Sequence, residues 1–162
     1  MELHELFLLQ RGLDAEIHKK HDETYATTKE KRVLSLLVEL GEFANETRTF
    51  KFWSYKAPSA KEVILDEYAD ALHFFLSLGL AIGIDSLEHA FAPFAFHSLT
   101  AAIIDVYAKT VDFYRTYGKE EYEIAFCAFL NLLPPLGYDE KDMFEAYKRK
   151  LQINYTRQEN RY

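Results

Sequence analysis

The sequence predicts an all-α protein, a bundle of about six helices, on three observations. Apolar residues recur at helical spacing nearly everywhere, and no segment sustains period-two alternation. Six glycines and four prolines in 162 residues are too little turn punctuation for an all-β sandwich. With 49% hydrophobic and 28% charged residues, a chain of this length has the composition to build one real core, so residues 1–162 are expected to form a single domain.

In chain order, a first helix is expected over residues 2–21 and a second over residues 28–47, with Thr27 or Thr28 as cap. The stretch 48–60 is rich in aromatics and lysines, contains Pro58, and reads as a loop. A third helix spans residues 61–82 and stops near Gly83. After an apolar segment interrupted by Pro93, a fourth covers residues 98–117, with Gly118 in the C-cap role. A fifth, over residues 119–133, ends at Pro134-Pro135-Leu136-Gly137, and a sixth runs from near Asp139 through the basic tail.

Several classes are excluded. The longest strongly apolar stretch, Phe74 to Ile84, is far short of the ~20 residues of a membrane span, and the uncharged run His89 to Ile104 holds a proline. The first residues lack the basic and apolar regions of a signal peptide, so a cytoplasmic protein is expected. A net charge of −7 argues against a nucleic-acid partner. A single cysteine, Cys127, allows neither an internal disulfide nor a thiolate metal cluster.

The informative residues are polar ones standing where the pattern asks for apolar ones. On the first helix the core stripe reads Leu3, Leu6, Phe7, Gln10, Leu13, Asp14, Ile17. Gln10 and Asp14 therefore need buried partners or a ligand, since an unpaired amide or carboxylate in a core costs a few kcal/mol. On the second helix the only charges from Val33 to Ala44 are Glu39 and Glu42, three apart on one face, which Glu46 continues. The third helix repeats the device with Glu67 and Asp70, and His73 and Ser77 extend that face. The short loop favours a hairpin, which would bring four like charges together; a cation between them would remove the repulsion.

All-oxygen ligation with one nearby histidine suits a hard cation, Mg²⁺ first and Mn²⁺ second. One Asp70-x-x-His73 falls short of the two Glu-x-x-His pairs of a di-iron bundle. Mg²⁺ held by carboxylates keeps positions open for water and substrate phosphates, which points to Mg²⁺-dependent phosphate chemistry. Residues 148–162 carry net +4, leaving −11 on the rest, and Lys150, Arg157 and Arg161 are suited to phosphate oxygens. The loop adds Lys51, Lys56 and Trp53. No glycine-rich phosphate loop is present, so metal and side chains must bind the phosphates.

Four pieces in order, LLQRGLDAEI, ELGEFANETRTFKFWS, EYADALHFFLS and AYKRKLQINYTRQENRY, resemble the dimeric all-α dUTPase family of the all-α NTP pyrophosphatases. The E-x-x-E and E-x-x-D pair is shared across that superfamily, including MazG-like enzymes and dCTPases. The D-x-L-H-F-x-L-S extension, the K-x-W-S loop and the ending Y-x-x-K-x-x-x-N-x-x-R-Q-x-x-x-Y are more specific to the dUTPase branch.

The resemblance implies hydrolysis of dUTP, and of dUDP, to dUMP. By it Glu39, Glu42, Glu67 and Asp70 would hold Mg²⁺, with Glu39 or Glu42 as the base that activates water. Gln10, Trp53 and His73 would lie at the uracil and sugar pocket with Asn154, and Asp14 stands where relatives carry Asn or Asp. Lys150, Arg157 and Tyr162 would close over phosphates and base, and Lys51 is counted with the substrate-binding set. The apolar stretch around Ala90 to Ile104 fits a subunit interface, so a homodimer is expected. Two alternatives stand beside this reading: a related pyrophosphohydrolase of other specificity, or a non-catalytic helical dimer module.

Overall fold

The computed structural model describes residues 1–160. Six α-helices follow in order among them: α1 (His4–His21), α2 (Tyr25–Thr47), α3 (Lys61–Ala81), α4 (Leu99–Thr116), α5 (Lys119–Leu130) and α6 (Glu140–Glu159). A 3₁₀ turn at Pro134–Leu136 precedes α6, and one isolated bridge pairs Glu2 with Glu88. The all-α expectation holds.

Three helix ends differ from the sequence reading. The cap of α2 is Thr24: its hydroxyl accepts from the Thr27 amide at 3.2 Å, and the Thr27 hydroxyl accepts from the Thr24 amide at 2.9 Å. Thr27 is thus the third residue of a reciprocal box. Asp22, in the left-handed region at φ 53, ends α1 abruptly and lets α2 begin early. At the end of α4 the left-handed position falls on Tyr117 (φ 49), while Gly118 is extended and starts α5. The Tyr117 ring packs edge-on against Phe113 and lies 3.7 Å from the Lys29 ammonium, contacts a glycine could not make. Finally, α5 ends at Leu130, because Leu132 and Leu133 are turned into the core ahead of Pro134. Gly83 and Gly137 do adopt the positive φ expected of helix stops.

The organising element is α3. It is apolar nearly all round, buries residues from Ile64 to Gly79, and packs on α1, α2, α5 and α6. The α2–α3 pair is antiparallel, since its contacts run in opposite directions: Ser59 to Glu46, Asp70 to Glu39, Ser77 to Arg32. Tyrosine hydroxyls tie helix to helix through backbone carbonyls, Tyr122 to Phe75 at 2.8 Å and Tyr107 to Leu37 at 2.9 Å. Residues 82–98 have no helix; the segment is held through Leu3 to Leu87, Met1 to His89, and the Asn131 amide oxygen.

Gly79 marks the closest approach. A Cβ there would collide with the Tyr122 hydroxyl and lie 2.8 Å from both Tyr122 Cζ and Phe7 Cε1, all rigid and buried. Gly79→Ala should therefore destabilise by about 1–3 kcal/mol despite its better helix propensity. Urea unfolding checks this; an unchanged or higher midpoint would mean the three helices have room to spare.

Candidate active site

The polar side chains that α1 buries are satisfied by a network crossing four helices. Gln10 and Asp14 are one turn apart, and Gln10 Nε2 donates to Asp14 Oδ1 at 3.0 Å. The other Asp14 oxygen accepts from Ser77 Oγ at 2.6 Å and Tyr25 OH at 2.9 Å. Arg32 of α2 adds its charge, 3.6 Å from Asp14 Oδ1, while donating to Ser77 Oγ at 2.7 Å and to His18 Nε2 at 2.6 Å. Burial and then Arg32 lower the His18 pKa, which keeps that ring neutral and accepting.

Gln10 also sets His73. Its Oε1 accepts from Tyr147 OH at 3.0 Å and from His73 Nδ1 at 2.6 Å. An amide oxygen only accepts, so His73 carries its proton on Nδ1. The ring stacks on Tyr147 at 4.2 Å and burial drives its pKa down to about 3, leaving Nε2 a neutral acceptor. His73 is only 5% exposed, and Nε2 has no hydrogen-bond partner among the described residues. A buried orphan acceptor of this kind calls for a donor beyond those the described residues supply.

That side chain lines a cavity of about 210 Å³ together with Gln10, Asp14, Arg32, Glu39, Asp70, Asn154 and Arg157. Glu39, Glu67 and Asp70 each bring a carboxylate oxygen within 4.8 Å of the others at the α2–α3 seam. Burial, then Asp70, Glu42 and Glu67, push the Glu39 carboxyl up to about 7. Glu67 is raised by burial, Asp70 and Glu42. Asp70 is raised by burial even though Lys150 pulls the other way. An all-oxygen set whose members hold each other's charge down fits a hard divalent cation. Such a cation would supply charge neutralisation and sites for phosphate oxygens.

The predicted site residues divide accordingly. Gln10, Asp14, Glu39, Asp70, His73, Asn154 and Arg157 share one cavity, and Glu67 joins the carboxylates beside it. Glu42 is exposed one turn along and acts on Glu39 and Glu67 through space. Lys150 reaches from α6 onto Asp70. Lys51 and Trp53 do not line the cavity: Lys51 donates to Asn45 Oδ1, and Trp53, 63% exposed, packs on Phe50 and Phe52. Arg48 turns their loop back on itself by donating to Lys56 O at 3.2 Å and Ser54 Oγ at 2.6 Å. Glu46, in phase with the cluster, instead accepts from the Ser59 hydroxyl. Arg161 and Tyr162 lie outside the described residues.

Arg32 and Asp66 are absent from the sequence reading. Arg32 sits seven residues before Glu39, two turns along the same face, and that phase was the available signal. Asp66 stands one turn before Asp70 and accepts from Lys150 at 2.6 Å.

Fold and site together define an all-α protein with an acidic, cation-competent cleft opening beside a buried polar pocket. The sequence model of the dUTPase family matches residues 2–162, essentially the whole length, and the chain belongs to that family. It is a dUTP diphosphatase, a hydrolase of a metal-dependent family. No curated protein matches the chain.

The raised carboxyl of Glu39 has a measurable sign. An unfolded glutamate titrates near 4.3, the folded one at about 7, so between those values the folded state binds more protons. Stability contributed by this group is then lost as pH rises through the window. Glu39→Gln removes that loss. In chelator, the melting-temperature gap between variant and parent should widen in the variant's favour from about pH 5 to about pH 8. A gap that stays flat would show Glu39 ionising normally.

Proposed function

We propose that this chain hydrolyses dUTP to dUMP and pyrophosphate, and dUDP to dUMP and phosphate, with Mg²⁺ as cofactor and Mn²⁺ able to substitute. The observation that carries the reading is the convergence of Glu39, Glu67 and Asp70 beside a cavity lined by His73, whose buried Nε2 has no partner among the described residues. Residues 1–162 act as one domain, and a cytoplasmic setting goes with the substrate.

Glu39, Glu67 and Asp70 hold the metal, and Glu42 adds its charge from the rim. A divalent cation held there would supply charge neutralisation for the phosphate oxygens and for the leaving pyrophosphate. Of the two candidate bases, Glu39 lines the cavity, whereas Glu42 is exposed one turn along, so Glu39 is the better placed to take a proton from water. The nucleoside enters the pocket. His73 Nε2 accepts from a uracil N–H or a sugar hydroxyl, while Gln10 and Asp14 hold that ring in place. Asn154 stands on the deoxyribose side, and Arg157 near the phosphates, where its charge already acts on Asp70. Unpaired polar groups in such a pocket penalise a base that cannot satisfy them. Lys51 and Trp53, on the loop between α2 and α3, complete the substrate-binding set, Trp53 on the uracil and sugar side.

The chain works as a homodimer, with the exposed Phe91, Phe94, Phe96 and Ile104 at the subunit contact. A monomer mass in solution at micromolar concentration would count against that arrangement.

Pyrophosphate release from dUTP, dCTP, dTTP and UTP, each with Mg²⁺ and with excess chelator, tests the activity. Metal-dependent release from dUTP alone is expected, and Glu39→Gln or Asp70→Asn should lower turnover by roughly 10²–10⁴-fold or more. Equal rates on dCTP would cancel the uracil assignment. Near-normal rates in either variant would remove the carboxylates from the site.

A further inference from the structure

Lys150 is the most deeply placed ammonium of the site, 4% exposed, and it already has a partner. From α6 its Nζ reaches 2.6 Å from Asp66 Oδ2 and 2.6 Å from Asp70 Oδ2. Asp70 belongs to the three-carboxylate cluster; Asp66, on the half-exposed side, does not. One positive charge is thus seated against the group that a metal ion would also use.

We infer that Lys150 is a switchable counter-ion which makes cation binding and polyphosphate binding at this site mutually reinforcing. The inference rests on the metal-site reading given above. With no polyphosphate present, the ammonium neutralises Asp70 and occupies ground beside Glu39 and Glu67, whose repulsion it relieves. A divalent cation arriving alone must enter against a positive charge at contact distance from one of its own ligands, and repulsion at that range is felt even at the effective dielectric of a protein. A polyphosphate changes the balance, because its oxygens offer the ammonium a second anion and let it leave Asp70. Asp66 lies outside the cluster, so it can retain the ammonium close by while Asp70 turns to the metal. By linkage the effect is reciprocal: bound cation must strengthen polyphosphate binding by the same factor. A lysine whose role was simply to fill space between α3 and α6 would produce no such coupling.

The test is calorimetric titration of Mn²⁺ into the full chain, with and without a dUTP analogue whose α–β bridge is an imido group and resists hydrolysis. For the parent, the analogue should raise Mn²⁺ affinity roughly fivefold or more. Lys150→Met and Lys150→Gln should each bind Mn²⁺ alone more tightly than the parent, while the enhancement by analogue falls below about twofold. The glutamine variant drops the charge but keeps a polar donor, one atom shorter than the lysine, so it guards against loss of folding in the methionine variant. General damage would weaken binding, the opposite sign. Variants that bind Mn²⁺ alone no tighter than the parent, or that keep the full enhancement, overturn the inference. If Asp70→Asn abolishes Mn²⁺ uptake in the same assay, the metal site stands even though the coupling has failed. If the parent takes up no Mn²⁺ with or without analogue, both readings fall together.

Discussion

Like charges gathered in an apolar bundle are the constraint on which this structure turns. Glu39, Glu67 and Asp70 meet where α2 packs on α3, and burial raises all three carboxyls. Such a cluster is tolerable only if protons, an internal cation or a metal ion reduce its charge. Lys150 supplies one such charge from α6, which explains why a lysine stands nearly buried between two helices. The contact also joins the last helix to the central one, so the site and the closure of the bundle share an interaction.

A second requirement is orientation. His73 can present a lone pair to the cavity because its other nitrogen is committed to Gln10, and Gln10 is itself held by Tyr147 and Asp14. Asp14 in turn is gripped by Ser77, Tyr25 and Arg32. Each member leaves its neighbour one permitted hydrogen-bonding role, so donor and acceptor directions propagate from Arg32 to the cavity without freedom to invert. The buried ring of Tyr147 stacks on His73 and fixes its plane. A ligand then meets a surface whose polarity is decided before it arrives.

The connections around the bundle are less constrained. The α2–α3 loop is tied at its base by Arg48 and by Ser59, yet Phe52 and Tyr55 are almost fully exposed at its tip. Residues 86–97 show a related pattern, pinned through His89 and Asn131 while three phenylalanines stay partly open. Apolar side chains left outside a well-filled core are surface available for contact rather than failed packing.

Much of this was legible in the residues alone. Helical period and scarce turn residues determine an all-α chain, and two acidic pairs on otherwise apolar helices determine that charge must collect at one seam. The phase of Gln10 and Asp14 determines that α1 buries polar groups, since position on a helix face depends only on spacing. Partner choice was not legible. Whether Glu46 joined the cluster or a loop hydroxyl, whether Lys150 stood in solvent or on Asp70, and whether Thr24 or Thr27 capped α2 each depended on which groups packing brings within about 3 Å. Arg32 makes the point most clearly: it shares a face with Glu39 in the sequence and bonds Thr28 on its own helix, but its terminal nitrogens meet Ser77, His18 and Asp14 on other helices. Local spacing determines the face a side chain occupies; the antiparallel packing of α2 on α3 and the crossing of α1 and α6 decide what it meets there.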